Sequence, residues 1–153
     1  MMKDEFCKVG TFMDSIKFIL DRNYGDYSSQ GSSSIEMSVL DMFLSDAGCP
    51  KNGYSIFRDW AAADKNDPHS RFAHTCSTNT VLLDEDDNGI DVHLIDFTGN
   101  DPDDPHYIPA SITMTREQFI QLLDDWQEKV CKHMPKEVII KRENGRFFIE
   151  TKN

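Results

Sequence analysis

The stretch Ser111–Lys152, SITMTREQFIQLLDDWQEKVCKHMPKEVIIKRENGRFFIETK, decides the fold class. Ser111–Thr115 alternates as a short strand and delivers Thr115 to a helix N-cap, where Gln118 completes a capping box. Phe119, Leu122, Leu123, Trp126, Val130 and Met134 follow at intervals of 3, 1, 3, 4 and 4, which is one apolar face of a helix about five turns long. Trp126 therefore belongs to the core. Pro135 ends the helix. Glu137–Arg142 and Arg146–Thr151 then flank Asn144-Gly145, a two-residue hairpin signal. Pairing across it sets Glu143 against Arg146 and Ile140 against Ile149, so the charged and apolar faces agree.

Upstream, the period is again that of strands. Thr80–Leu83 and Ile90–Phe97 are short β-type runs separated by Asp84-Glu-Asp-Asp-Asn-Gly89. A two-residue turn at Asn88-Gly89 sets Asp86 opposite Asp91, a repulsive pair that favours a longer loop. Thr98–Pro109 holds three prolines, which exclude regular structure and stiffen an acidic, exposed segment.

The N-terminal third reads as helical. Thr11 caps a first helix whose apolar positions are Phe12, Ile16, Ile19 and Leu20. Residues 24–34 (YGDYSSQGSSS) form a loop, either a flexible linker or an ordered surface loop. A capping box of Ser33 and Glu36 opens a second helix carrying Ile35, Val39, Met42 and Phe43, and Gly48 with Pro50 stops it. Tyr54, Ile56, Phe57 and Trp60, leading into Ala61–Ala63, make a third. Trp60, beside Arg58-Asp59, is either buried or an exposed anchor for a partner. The expected fold is α+β: N-terminal helices, then an antiparallel sheet of about four or five strands packed with one long amphipathic helix, in a single domain spanning 1–153.

At 153 residues with 39% hydrophobic content the chain can bury one real core, and disorder throughout is excluded. There is no run of 18 apolar residues to span a membrane, and MMKDEFCKVG lacks the apolar region of a secretory signal. A cytoplasmic protein is expected. Four cysteines, Cys7, Cys49, Cys76 and Cys131, contain no CxxC pair and read as reduced thiols, although an even count also permits two disulfides.

The net charge is −11, from 16 Lys and Arg against 27 Asp and Glu. Nine acids fall between Asp84 and Asp104, with no Lys or Arg among them: Asp84, Glu85, Asp86, Asp87, Asp91, Asp96, Asp101, Asp103 and Asp104. The rest of the chain, with 18 acids and 16 bases, is close to neutral. Direct nucleic-acid binding is excluded by charge sign, since phosphate needs a basic footprint. The segment instead suits a basic protein or a cation, or simply keeps the protein in solution.

Chemistry of other kinds finds little footing. Asp84-x-Asp86-x-Asn88-Gly89 matches the first half of a calcium loop, but the bidentate Glu required at its twelfth position is Ile95. Asp101, Asp103 and Asp104 with His106 have metal-ligand chemistry, yet all sit within six residues of one Pro-rich loop. Cys76 and His74 lack an oxyanion-type glycine motif, and GxSxG, Walker and GxGxxG patterns are absent. No enzyme, cofactor or metal is expected. The alternative is an acidic cation-binding protein or metal-dependent hydrolase using residues 84–104, and a regulatory adaptor for another basic partner is a third reading.

The threonine-capped T-x-E-x-F-x-x-L-L-x-x-W helix, followed by PKEVII and the Asn-Gly hairpin, resembles bacterial immunity proteins of polymorphic toxin and contact-dependent growth inhibition systems. The resemblance covers about 40 residues and its motif is structural. It implies a small, acidic cytoplasmic protein that binds a secreted toxin's C-terminal domain, often a basic nuclease, and blocks its active site. The partner-binding candidates are then Asp84, Glu85, Asp86, Asp87, Asp91, Asp101, Asp103, Asp104, His106 and Tyr107, with the region of Tyr24, Tyr27 and Trp60 as the other candidate surface.

Overall fold

A computed structural model describes residues 14–49, 56–64, 66, 67, 69, 76–86, 90–99, 103, 104 and 106–153. Strands β1 (Ser15–Asp21), β2 (Asp26–Ser32), β7 (Glu137–Glu143) and β8 (Arg146–Lys152) form one antiparallel sheet in the order β2-β1-β7-β8. Strands β3 (Cys76–Ser77), β4 (Val81–Glu85), β5 (Asp91–Asp96) and β6 (Ser111–Thr115) form a second, in sequence order. Helices α1 (Ile35–Ala47), α2 (Ile56–Ala62) and α3 (Arg116–Asp125) complete the described elements, and a π-helical turn, Trp126–Cys131, continues α3. The α+β class stands; the element order does not, and the strands form two sheets of four where one sheet of four or five is expected.

The first correction is β1. Ile16, Ile19 and Leu20 have helical spacing, but Ile16 and Phe18 also alternate, and both are buried in a strand. Val138 and Ile140 of β7 lie in register with Phe18 and Ile16, and that long-range pairing selects the strand. Thr11 and Phe12 lie outside the described residues. The second correction is the Ser-rich stretch: residues 26–32 are β2, paired with β1, with a bulge between its partners Ile16 and Phe18. Having almost no apolar side chain, β2 carries no period to read.

Helix α1 begins one residue later than the sequence suggests. Ser34 is its cap, accepting from Met37 N at 3.1 Å, whereas the Ser33 hydroxyl accepts from Ser15 N at 2.7 Å. Glu36 turns instead to Arg142, which also holds Asp14 at 2.9 Å and so ties α1, β7 and the start of β1 together. Burial pushes the Arg142 guanidinium pKa down, but hydrogen bonds and charge from Glu36 and Asp14 outweigh it, and the net direction is up. Thr115 and Gln118 do form the expected capping box.

One hydrophobic cluster unites the two sheets. Met37, Leu40, Phe43 and Leu44 of α1 meet Ile16 and Phe18 on one side and Val81, Leu83, Val92, Leu94, Ile112 and Met114 on the other. Phe43 packs edge-on to Phe57 at 5.1 Å and tilted on Phe119 at 5.6 Å, joining all three helices. Trp60, edge-on to Phe119 and only 2% exposed, is core and no partner anchor. Arg58 forks onto Asp124, binding α2 to α3.

The single long helix expected over 116–134 is interrupted. After Asp125 the turn widens, with Lys132 N donating to Gln127 O at 3.0 Å, yet Trp126 and Val130 both stay buried. Trp126 lies edge-on to Phe18 at 5.5 Å, and its indole N–H donates to Gly48 O at 3.1 Å. Cys131, in the same turn, is disulfide-bonded to Cys49, so two of the thiols read as reduced are bridged. Spacing in sequence could not reveal a bond whose partners lie 82 residues apart. Asn144 and Gly145, with φ of 51° and 77°, make the expected two-residue hairpin turn, and Glu143 pairs with Arg146.

Two outcomes follow from this packing. Trp126→Ala should cost about 3–5 kcal/mol in urea denaturation, and a loss below about 1 kcal/mol would remove the ring from the core. Denatured without reductant, the chain should expose no more than two of its four thiols to a thiol reagent; four reactive thiols would rule out the Cys49–Cys131 bond.

Candidate acidic interface

The outward face of the β3–β6 sheet is where the acidic segment becomes a surface. Along each strand the inward positions are apolar and buried: Val81 and Leu83, Val92 and Leu94, Ile112 and Met114. Alternation then places Asp84, Asp91 and His93 on the other face, with Thr113 and Ser111 exposed beside them. Asp86, just beyond β4, donates its backbone N–H to Asp91 O at 3.2 Å, so these two acids do oppose each other. Asp87, Asn88 and Gly89 between them lie outside the described residues.

His93 lies beside that pair and touches one of the two acids. Its Nε2 sits 2.5 Å from Asp86 Oδ1 and its Nδ1 2.8 Å from Thr113 Oγ1, linking the end of β4, β5 and β6. Asp84 faces His93 in register. Sequence reasoning missed this histidine, although the alternation Asp91-x-His93 was a signal that both share a face. Glu85 does not join the surface: opposite buried Val92, it points to the core side of the sheet.

The second half of the segment is organised differently. Asp96 Oδ1 accepts from both Thr98 N and Thr98 Oγ1, and Asp104 Oδ1 accepts from His106 N. These carboxylates build turns. Tyr107 folds back on the same loop: a Cβ on Gly99 would meet its hydroxyl at 2.6 Å, so a side chain there would have to displace the tyrosine ring. Asp103, Asp104 and His106 are exposed, and Asp101 lies outside the described residues. Of the ten candidates the structure therefore gathers Asp84, Asp86 and Asp91 on one face and sets Asp103, Asp104, His106 and Tyr107 in the adjoining loop.

Residues 76–115 contain no Lys or Arg, so the whole second sheet is without a base. The first sheet is mixed, with Lys17 and Lys152 on Glu137 and Lys141 on Glu150 across its outer face. Among the described residues no group of three or more His, Cys, Asp or Glu is disposed to hold a metal ion. No described helix is long and apolar enough to cross a membrane.

The other candidate surface surrounds Tyr27. A groove of about 370 Å³ lies between the β1–β2 turn and the end of α1, lined in part by Asp26, Tyr27, Asp46 and Trp126. The Tyr27 hydroxyl donates to Pro135 O at 2.6 Å. Compared with known proteins, the chain matches no family model, no curated protein and no solved structure.

Burial pushes the Tyr27 phenol from 10.0 up to about 12. A raised acid pKa means that folding favours the protonated form, so this stabilisation is complete below pH 10 and is lost as pH rises toward 12. In denaturation measured across that range the parent should lose stability relative to Tyr27→Phe. Parallel curves would mean that the phenol is solvated.

Proposed function

We propose that this is an immunity protein, which binds a basic bacterial toxin domain, a nuclease in the simplest case, and neutralises it by electrostatic occlusion. The observation that carries the reading is the base-free second sheet, whose outward face bears Asp84, Asp86 and Asp91. Like charges held together repel, and a cationic partner relieves that repulsion. The carboxylates stand in for nucleic-acid phosphate: they steer the encounter and then occupy the groove that would bind substrate. Association at roughly 10⁸–10⁹ M⁻¹s⁻¹ at low salt is attainable by such steering. His93, in hydrogen-bond contact with Asp86 and Thr113, links β4, β5 and β6 across the face.

A cytoplasmic site of action belongs to the proposal, which holds with the Cys49–Cys131 pair bonded, as in the structure, or reduced. The inhibitory surface lies on the opposite sheet from the β1–β2 turn beside Cys49, so binding does not depend on the bond.

The test is a search beside this gene for a secreted protein with a toxic C-terminal domain, followed by co-expression with that domain. Growth should be restored by the parent chain. Asp84→Asn/Asp86→Asn/Asp91→Asn should keep the fold, associate at least about tenfold more slowly in stopped flow, and show a flatter salt dependence. Absence of such a toxin, or a triple variant that associates and protects like the parent, would sink the reading.

A further inference from the structure

The two sheets have four edges, and three of them are blunted. Strand β2 is polar and bulged, β3 has two residues, and β6 has five and runs from Pro109 into a helix cap. Strand β8 differs. It is seven residues long, reads RFFIETK without proline or bulge, and among the described residues pairs only with β7.

Its free backbone groups can be assigned. Arg142 N donates to Asp14 O and Leu20 N to Lys136 O, so even-numbered residues of β7 turn their backbone toward β1. Odd-numbered residues of β7 therefore bond to their partners Arg146, Phe148, Glu150 and Lys152. That leaves the N–H and C=O groups of Phe147, Ile149 and Thr151 directed out at the edge. A groove of about 410 Å³ runs there, walled by Gln118, Gln121 and Asp125 of α3 and bordered by Phe148, which is 45% exposed.

We propose that a second copy of this chain covers this edge, with the two β8 strands pairing antiparallel about a two-fold axis at Phe148. The register follows from hydrogen bonding and charge together. Only registers that set odd residues against odd residues satisfy the free backbone groups. Centring on Ile149 sets Arg146 against Lys152, and centring on Glu150 sets two glutamates together; like charges directly opposite are destabilising. Centring on Phe148 gives Phe147 opposite Ile149 twice, Phe148 opposite its own twin, and Arg146 opposite Glu150 twice. Exposed aromatic surface is covered, Arg146 meets a Glu150 that already pairs with Lys141 of its own chain, and two four-stranded sheets become one of eight. The contact is isologous, so it closes at a dimer. It uses the first sheet and leaves the acidic face of the second free.

The experiment is sedimentation equilibrium of the full chain up to about 200 µM, a range that captures micromolar affinities. The mean mass should climb from 17.6 kDa toward twice that value. Arg146→Glu or Glu150→Arg, each turning two attractive contacts repulsive, should weaken the dimer at least about tenfold, and the double variant should recover to within about threefold of the parent. Circular dichroism confirms that the variants are folded. Independently, Phe148→Cys should cross-link two chains on oxidation, whereas Lys152→Cys, displaced from the axis, should give no more cross-linking than the parent. A chain monomeric at the highest concentration would leave the edge to another segment or a foreign peptide and overturn the proposal. So would single reversals without effect, or a double variant that fails to recover.

Discussion

Everything described depends on one helix being shared. Met37, Leu40, Phe43 and Leu44 of α1 are buried against strands of both sheets, so neither sheet completes its core without α1. Burying each such side chain contributes roughly 1.5–3 kcal/mol, and the contribution is counted once for both sheets. Phe43 extends the constraint to α2 and α3 through Phe57 and Phe119. Arg142 secures the same helix at its other end, where Glu36 in the first turn meets the strand that β1 pairs with.

Around that core the charge is divided between the sheets. The β2-β1-β7-β8 sheet pairs opposite charges across its outer face, and such exposed pairs contribute little individually. The β3–β6 sheet has no Lys or Arg, and Asp86 is hydrogen-bonded to His93 instead. Part of the acidic excess is spent locally, because Asp96 and Asp104 close turns in a segment where proline removes backbone donors. Asp84 and Asp86 also have partners, in Glu85 N and His93, but with Asp91 they share one sheet face that carries no Lys or Arg, and that shared face is why they support a reading as an interface.

Sequence alone determined what local chemistry controls. The Thr115–Gln118 capping box and the Asn144-Gly145 turn with its register rest on interactions within a few residues or across a tight turn, and helical spacing marked Trp126 for burial; the repulsion that argued for a longer loop between Asp86 and Asp91 did not keep them from facing each other. Tertiary structure decided the rest, for one physical reason: strand pairing and disulfides join residues far apart in the chain. Ile16, Ile19 and Leu20 fit a helix until Val138 and Ile140 draw Phe18 and Ile16 into a sheet. Residues 26–32 have no apolar rhythm and become a strand only because β1 offers a partner. The candidate site divides the same way. Its acids were legible by composition, but which of them share a face, and that His93 joins them, was fixed only when β4, β5 and β6 were laid side by side. Cys49 finds Cys131, and Gly48 the indole of Trp126, only once α1 and the widened turn after α3 are packed together.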